Sequence, residues 1–118
     1  MTDRTLTVTA RPHPVGPHLL TVAGELDHHT GPRLRAALDE IPFGSGAGLV
    51  IDLSGLTYCD STGITLLVSA YQRAQNTNSP LSLAGLSPDL LRVFRIVGLD
   101  QVFTLEPSVE HAMSSLRP

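Results

Sequence analysis

Asp60, Ser61, Thr62 and Gly63 follow closely on the apolar run Gly48-Leu49-Val50-Ile51-Asp52-Leu53, with Tyr58 and Cys59 immediately before them. A strand that delivers the chain into a short connection, followed by an acid and two hydroxyls that open a helix, puts Ser61 at a helix N-terminus. Two kinds of chemistry suit a serine there. Its oxygen can accept a backbone N–H of the first turn and cap the helix, worth about 1 kcal/mol. It can also receive a phosphate, which the positive end of the helix dipole and several free N–H groups favour. That modification adds about −1.5 to −2 charge beside Asp60, so the surface changes sharply while the fold tolerates it. No base is adjacent in sequence. A nucleophilic Ser61 would need His28 or His29 as base and Asp27 or Asp60 as orienter, in a chain that lacks the G-x-S-x-G elbow. The residue types suit a hydroxyl that is acted upon better than one that acts.

Gly24-Glu25-Leu26-Asp27-His28-His29-Thr30 is the second unusual stretch. Adjacent histidines point in different directions on a helix or strand, and His13, His18 and His111 stand at no recognised ligand spacing. Capping by Asp27 or Thr30 with solvated imidazoles accounts for the segment better than a metal does. Gly44-Ser45-Gly46-Ala47-Gly48 imitates part of a dinucleotide fingerprint, but it precedes a strand where the fingerprint must follow one. A flexible turn accounts for it. No phosphate-binding GxxxxGK[ST] loop is present, so the chain has no evident means of holding ATP itself, and no cofactor is expected.

The elements that must position these residues are legible from periodicity. Leu6, Val8 and Ala10 alternate with threonines as a half-exposed strand. A turn-rich connection through Pro12, Pro14, Gly16 and Pro17 leads to a second strand from His18 to Leu26, and a hairpin is the simple topology. Leu34, Ala37, Leu38 and Ile41 fall at helical spacing, with Pro32 in the first turn and Pro42 and Gly44 as stops. Leu49 to Leu53 runs continuously, as a central strand does. Ile64, Leu67, Val68, Tyr71 and Ala74 line one face of the helix that Ser61 opens. After a polar break at Asn76 to Pro80, Leu81 to Ala84 reads as a strand. Ser87-Pro88-Asp89 starts a helix whose buried stripe is Leu90, Phe94 and Val97, ended by Gly98. Val102 to Leu105 could add an edge strand, and Val109, Ala112, Met113 and Leu116 share one face of a last helix. The order implies an α/β fold with a mixed sheet of roughly four to five strands, largely parallel after the hairpin, and about four helices.

The bulk numbers agree. A chain of 118 residues is expected to form one domain, with a core from about residue 5 to 116. A chain of this size buries about two thirds of its unfolded surface, and with 42% hydrophobic but only 4% aromatic residues that core is aliphatic. Eight basic against eleven acidic residues leave a net charge of −3 with no basic cluster, which argues against nucleic acid as a partner. The lone Cys59 cannot form an internal disulfide, and no apolar run approaches the roughly 20 residues that span a bilayer. A cytoplasmic protein with no membrane partner is the expectation.

Gly24-Glu25-Leu26-Asp27 after the second strand, the Ile51-Asp52-Leu53-Ser54 strand end, and Asp60-Ser61-Thr62-Gly63-Ile64 opening a helix together resemble a STAS domain over nearly the whole chain. More narrowly they resemble the bacterial anti-sigma factor antagonists, or anti-anti-sigma factors. The resemblance implies a non-catalytic switch. The unphosphorylated antagonist binds an anti-sigma factor that is also a serine kinase of the GHKL type, and a sigma factor is released for transcription. Phosphorylation of the serine after the motif aspartate, here Ser61, ends the contact, and a PP2C-type phosphatase restores it. The same resemblance implies partner contacts at Asp27, Asp60, Ser61, Thr62 and Gly63. Thr62 is a second candidate hydroxyl, less accessible than Ser61. Cys59 and Ile64 occupy positions expected to be buried. The alternative is the same fold as an interaction module of a stress-sensing or transport-associated complex, without sigma-factor control.

Overall fold

The computed structural model describes residues 5–11, 17–44 and 48–116. The expectations placed on the connection through Pro12, Pro14 and Gly16, on His13 and on the glycine-rich turn at 45–47 lie outside the described residues.

Strand β1 (Leu6–Arg11) and strand β2 (His18–Leu26) form the expected antiparallel pair, Leu6 opposite Gly24 and Arg11 opposite Leu19. Helix α1 (Gly31–Asp39) leads to strand β3 (Leu49–Asp52), which runs parallel to the first half of β2. The chain then makes strand β4 (Leu56–Cys59), parallel to the second half of the same β2. Helix α2 (Ser61–Asn76), strand β5 (Leu81–Ala84), helix α3 (Pro88–Ile96), a 3₁₀ turn (Leu99–Gln101), strand β6 (Thr104–Glu106) and helix α4 (Val109–Ser115) follow. Among the described residues the sheet has six strands, in the order β1-β2-β3-β5-β6 with β4 beside β2. The α/β class, the mixed sheet and the four helices are as the sequence implies.

β4 is the strand that the pattern hides. Leu56 is its only buried residue, and Thr57 and Tyr58 are exposed, so no alternation marks it. The connection expected between the Leu49–Leu53 run and Ser61 therefore contains a strand. β2 leaves β3 after Thr21, and within its ladder with β4 the register shifts between Gly24, opposite Leu56, and Glu25, opposite Tyr58, so that Thr57 is an extra residue. Gly24 makes that shift possible: its φ is +110°, and a β-carbon there would collide with the Thr5 carbonyl oxygen.

Three helices cover one face of the sheet. Leu34 and Leu38 of α1, Leu67 and Ala70 of α2, and Leu90 and Phe94 of α3 pack on Leu20, Val22, Ile51, Leu53 and Leu83. Burying each such side chain contributes about 1.5–3 kcal/mol before chain entropy is counted. α4 covers the other face, where Ala112 with half-buried Val109, Met113 and Leu116 packs on Val50 and Ala84. Right-handed crossovers on an order that does not reverse put α1, α2 and α3 on one side. Ser87 caps α3 as its sequence implies, its hydroxyl accepting the Leu90 N–H at 3.3 Å. Val97 departs from the expected stripe: it lies just past the helix end and is 54% exposed. Phe103 rather than Val102 anchors the approach to β6, because Val102 still belongs to the turn that follows α3. Among the described residues no helix is long and apolar enough to cross a membrane.

Candidate functional site

Asp60 stands in extended backbone just before α2, and its Oδ1 accepts the N–H groups of Thr62 at 2.9 Å and Gly63 at 3.1 Å. Its own N–H donates to the Leu26 carbonyl at 3.2 Å, tying the mouth of α2 to the end of β2. Ser61 is thus not the cap. It is the first residue of the helix, exposed, and among the described residues nothing hydrogen-bonds its hydroxyl; its carbonyl accepts the Thr65 hydroxyl at 2.8 Å. A second expectation also changes. The N–H groups of Thr62 and Gly63 are taken by the Asp60 carboxylate, and that of Ile64 by the Asp60 carbonyl at 3.0 Å. A phosphate on Ser61 would find this turn already supplied with acceptors and a carboxylate beside it.

Gly63 sets how close α2 comes to the sheet. A β-carbon there would stand 2.7 Å from Cys59 Sγ and 2.7 Å from Leu26 Cγ. Cys59 and Ile64 prove half-buried rather than buried, because β4 lies at the margin of the sheet. Burial, and secondarily the charge of Asp60, pushes the Cys59 thiol up to about 12, so it stays protonated.

The segment after β2 folds on itself. Asp27 Oδ1 accepts the N–H of His29 at 2.9 Å and of Thr30 at 3.0 Å. The Thr30 hydroxyl donates to the Glu25 carbonyl at 2.7 Å and accepts the Asp27 N–H at 3.0 Å. Thr30 precedes α1, but its hydroxyl is turned back and makes no cap bond. Asp27 and Thr30 are each 3% exposed, whereas His28 and His29 are exposed with ring centroids 4.1 Å apart. Asp27 therefore shapes the loop beside Ser61 from within. Of the five anticipated contact positions, Ser61 is exposed, Asp60 and Thr62 are half-buried, and Asp27 and Gly63 are buried.

Two neighbours escaped the sequence reading. Tyr58, 41% exposed on β4 in register with Glu25, needed β4 to be recognised. The second is a groove of about 400 Å³ between the first turns of α1 and α2, bordered by His28, Arg35, Thr62 and Leu66. Only tertiary packing brings those helix starts together. Among the described residues no hydrogen bond links Ser61 to His28 or His29, the Asp60 carboxylate faces backbone N–H groups, and no group of three or more potential ligands is placed to hold a metal.

An exposed hydroxyl at the capped mouth of α2 is thus followed directly by Thr62, which shares a groove with the exposed His28. The family model described as "Mlab, STAS domain" matches residues 10–107. The anti-sigma-B factor antagonist of Listeria monocytogenes is 39% identical over 93 residues, covering 79% of this chain and 81% of that protein. The crystal structure of an anti-sigma factor antagonist from Mycobacterium paratuberculosis superposes with a TM-score of 0.85 at 27% identity, covering 97% of this chain and 96% of that one. The Bacillus cell fate determinant SpoIIAA in its phosphorylated form shares the fold, with a TM-score of 0.72 at 21% identity over 92% of this chain and 98% of that one. The chain belongs to the STAS domain family and, within it, to the anti-sigma factor antagonists.

Proposed function

We propose that this protein acts as one STAS domain over residues 1–118 and is a cytoplasmic, non-catalytic antagonist whose grip on an anti-sigma factor is set by the charge state of Ser61. The unmodified form binds a GHKL-type anti-sigma serine kinase and so frees the sigma factor. The kinase supplies ATP, Mg²⁺ and the base, phosphate on Ser61 ends the contact, and a PP2C-type phosphatase restores it. The observation that carries this reading is the exposed Ser61 hydroxyl, left without a hydrogen-bond partner among the described residues because Asp60 has taken the capping role. Asp60 and Thr62 border the contact directly. Gly63 sets the height of the helix mouth, and Asp27 holds the neighbouring loop.

The energetics suit a switch that needs no rearrangement. Phosphate adds about −1.5 to −2 charge beside the Asp60 carboxylate, on a turn whose nearest N–H groups are engaged, so the helix offers it little shelter. Desolvating that charge under a docked partner readily costs about 3–4 kcal/mol, which lowers affinity by a few hundredfold. The test is incubation of the chain with purified GHKL-type kinases and ATP, mass mapping of the product, and titration of Ser61→Ala and Ser61→Asp against the kinase. Modification at Ser61, tight binding by Ser61→Ala and weak binding by Ser61→Asp are expected. Phosphate on Thr62, or equal affinity of the two variants, would overturn the switch.

A further inference from the structure

On the basis of that reading, we infer that the groove between the first turns of α1 and α2 selects the partner, receiving an apolar side chain of the anti-sigma factor flanked by a carboxylate, with Arg35 as the specificity-determining residue. Buried Gly31 and Leu66, with exposed Pro32, supply the groove's apolar lining. Gly31 carries no side chain, and a β-carbon there would press on Leu66 Cδ1 at 3.1 Å, so the two helices close the base of the trough against apolar atoms. Its volume of about 400 Å³ lies within the range of sites that accept an organic group of modest size.

The rim carries the electrostatic signature. His28 and Arg35 border the groove, with Thr62 and Thr65 on the α2 side, and among the described residues no carboxylate lines it. Arg35 is exposed and, among the described residues, pairs with no acid. Its neighbours are committed elsewhere: Arg33 donates to the Leu6 carbonyl at 2.8 Å, and Asp39 pairs with Arg73 at 2.6 Å. In a chain of net charge −3 this rim is a local reversal of sign, so the complementary group on the occupant is an acid. Such rim charges govern which partner is admitted more than they add affinity. Thr62 both follows Ser61 and lines the groove, so whatever docks on Ser61 reaches the groove without a second interface. Phosphate on Ser61 would set its own negative charge against the occupant's carboxylate for the Arg35 guanidinium, which adds to the effect of the switch.

The probes are the purified GHKL-type anti-sigma kinases of the source bacterium, titrated calorimetrically against the intact chain, with circular dichroism verifying each variant's fold. Arg35→Glu is expected to weaken binding of the cognate kinase by about tenfold or more, and Arg35→Lys to hold it within about twofold. Arg92→Glu, the same charge change on exposed α3, is expected to leave it unchanged. Equal affinity of Arg35→Glu and the unsubstituted chain, while Ser61→Asp still abolishes binding, would overturn the groove's role and leave the switch standing. An equal loss from Arg92→Glu would reduce the effect to net charge and overturn it too. If no kinase binds the unmodified chain, the switch itself fails and the groove's role falls with it.

Discussion

The sulfur of Cys59 lies 2.7 Å from the point where a β-carbon on Gly63 would stand, with Leu26 as close on the other side. Helix α2 thus meets the ends of β2 and β4 at a distance that only glycine permits. Gly63→Ala must push the helix mouth outward or displace both neighbours, and overpacking of this kind costs about 1–3 kcal/mol. Urea denaturation should show that loss as a lower midpoint with an unchanged slope.

Asp60 is the cap, so its loss should register in stability before it registers in any contact. Asp60→Ala removes the acceptor for two backbone N–H groups and is expected to cost about 0.5–2 kcal/mol. Asp60→Asn keeps an acceptor oxygen and should recover most of it. Ser61→Ala should leave the unfolding midpoint within about 0.5 kcal/mol of the parent, because the Ser61 hydroxyl holds nothing in the fold. A large loss from Ser61→Ala would mean that the serine has a structural role after all.

The Cys59 thiol makes stability depend on alkaline pH. Its folded value of about 12 lies above the ordinary thiol value of 9.0. The folded state therefore keeps a proton that the unfolded chain loses as pH rises past about 9. This contribution is fully present below that pH and fades between about 9 and 12. At pH 8 an aromatic disulfide reagent should label the native chain roughly a hundredfold or more slowly than the urea-unfolded chain. Equal labelling rates would place the sulfur in solvent.

Ser82 Oγ, at 0% exposure in β5, has no hydrogen-bond partner among the described residues. A buried hydroxyl left unpaired costs free energy that alanine does not. Ser82→Ala is expected to be neutral or to stabilise by up to about 1 kcal/mol, read from thermal and urea unfolding. A destabilisation beyond about 1 kcal/mol, the size of one good hydrogen bond, would reveal a partner for that oxygen.

Much of the scaffold was legible because period and punctuation agreed. Ser87-Pro88-Asp89 began α3 as its capping chemistry demanded, and Val109, Ala112, Met113 and Leu116 formed the face that α4 lays on the sheet. β4 stayed hidden because its pairing, not its composition, makes it a strand. The same omission concealed Tyr58 as a surface residue. At the site, residue types located the helix mouth, but they could not apportion work between Asp60 and Ser61. Either side chain can cap, and only the extended backbone at Asp60 decides between them. Asp27, expected as a cap or as a partner contact, instead serves its own loop, whose N–H groups draw it inward.

Because β2 lends its first half to β3 and its second half to β4, the corner holding Glu25, Tyr58 and Asp60 is hinged to the main sheet by a single strand. Changes in β4 or in the loop that follows β2 can accumulate there without disturbing the register of β3, β5 and β6. Sequence drift is thereby confined to a margin, and the ladder of β3, β5 and β6 on which the helices rest stays fixed.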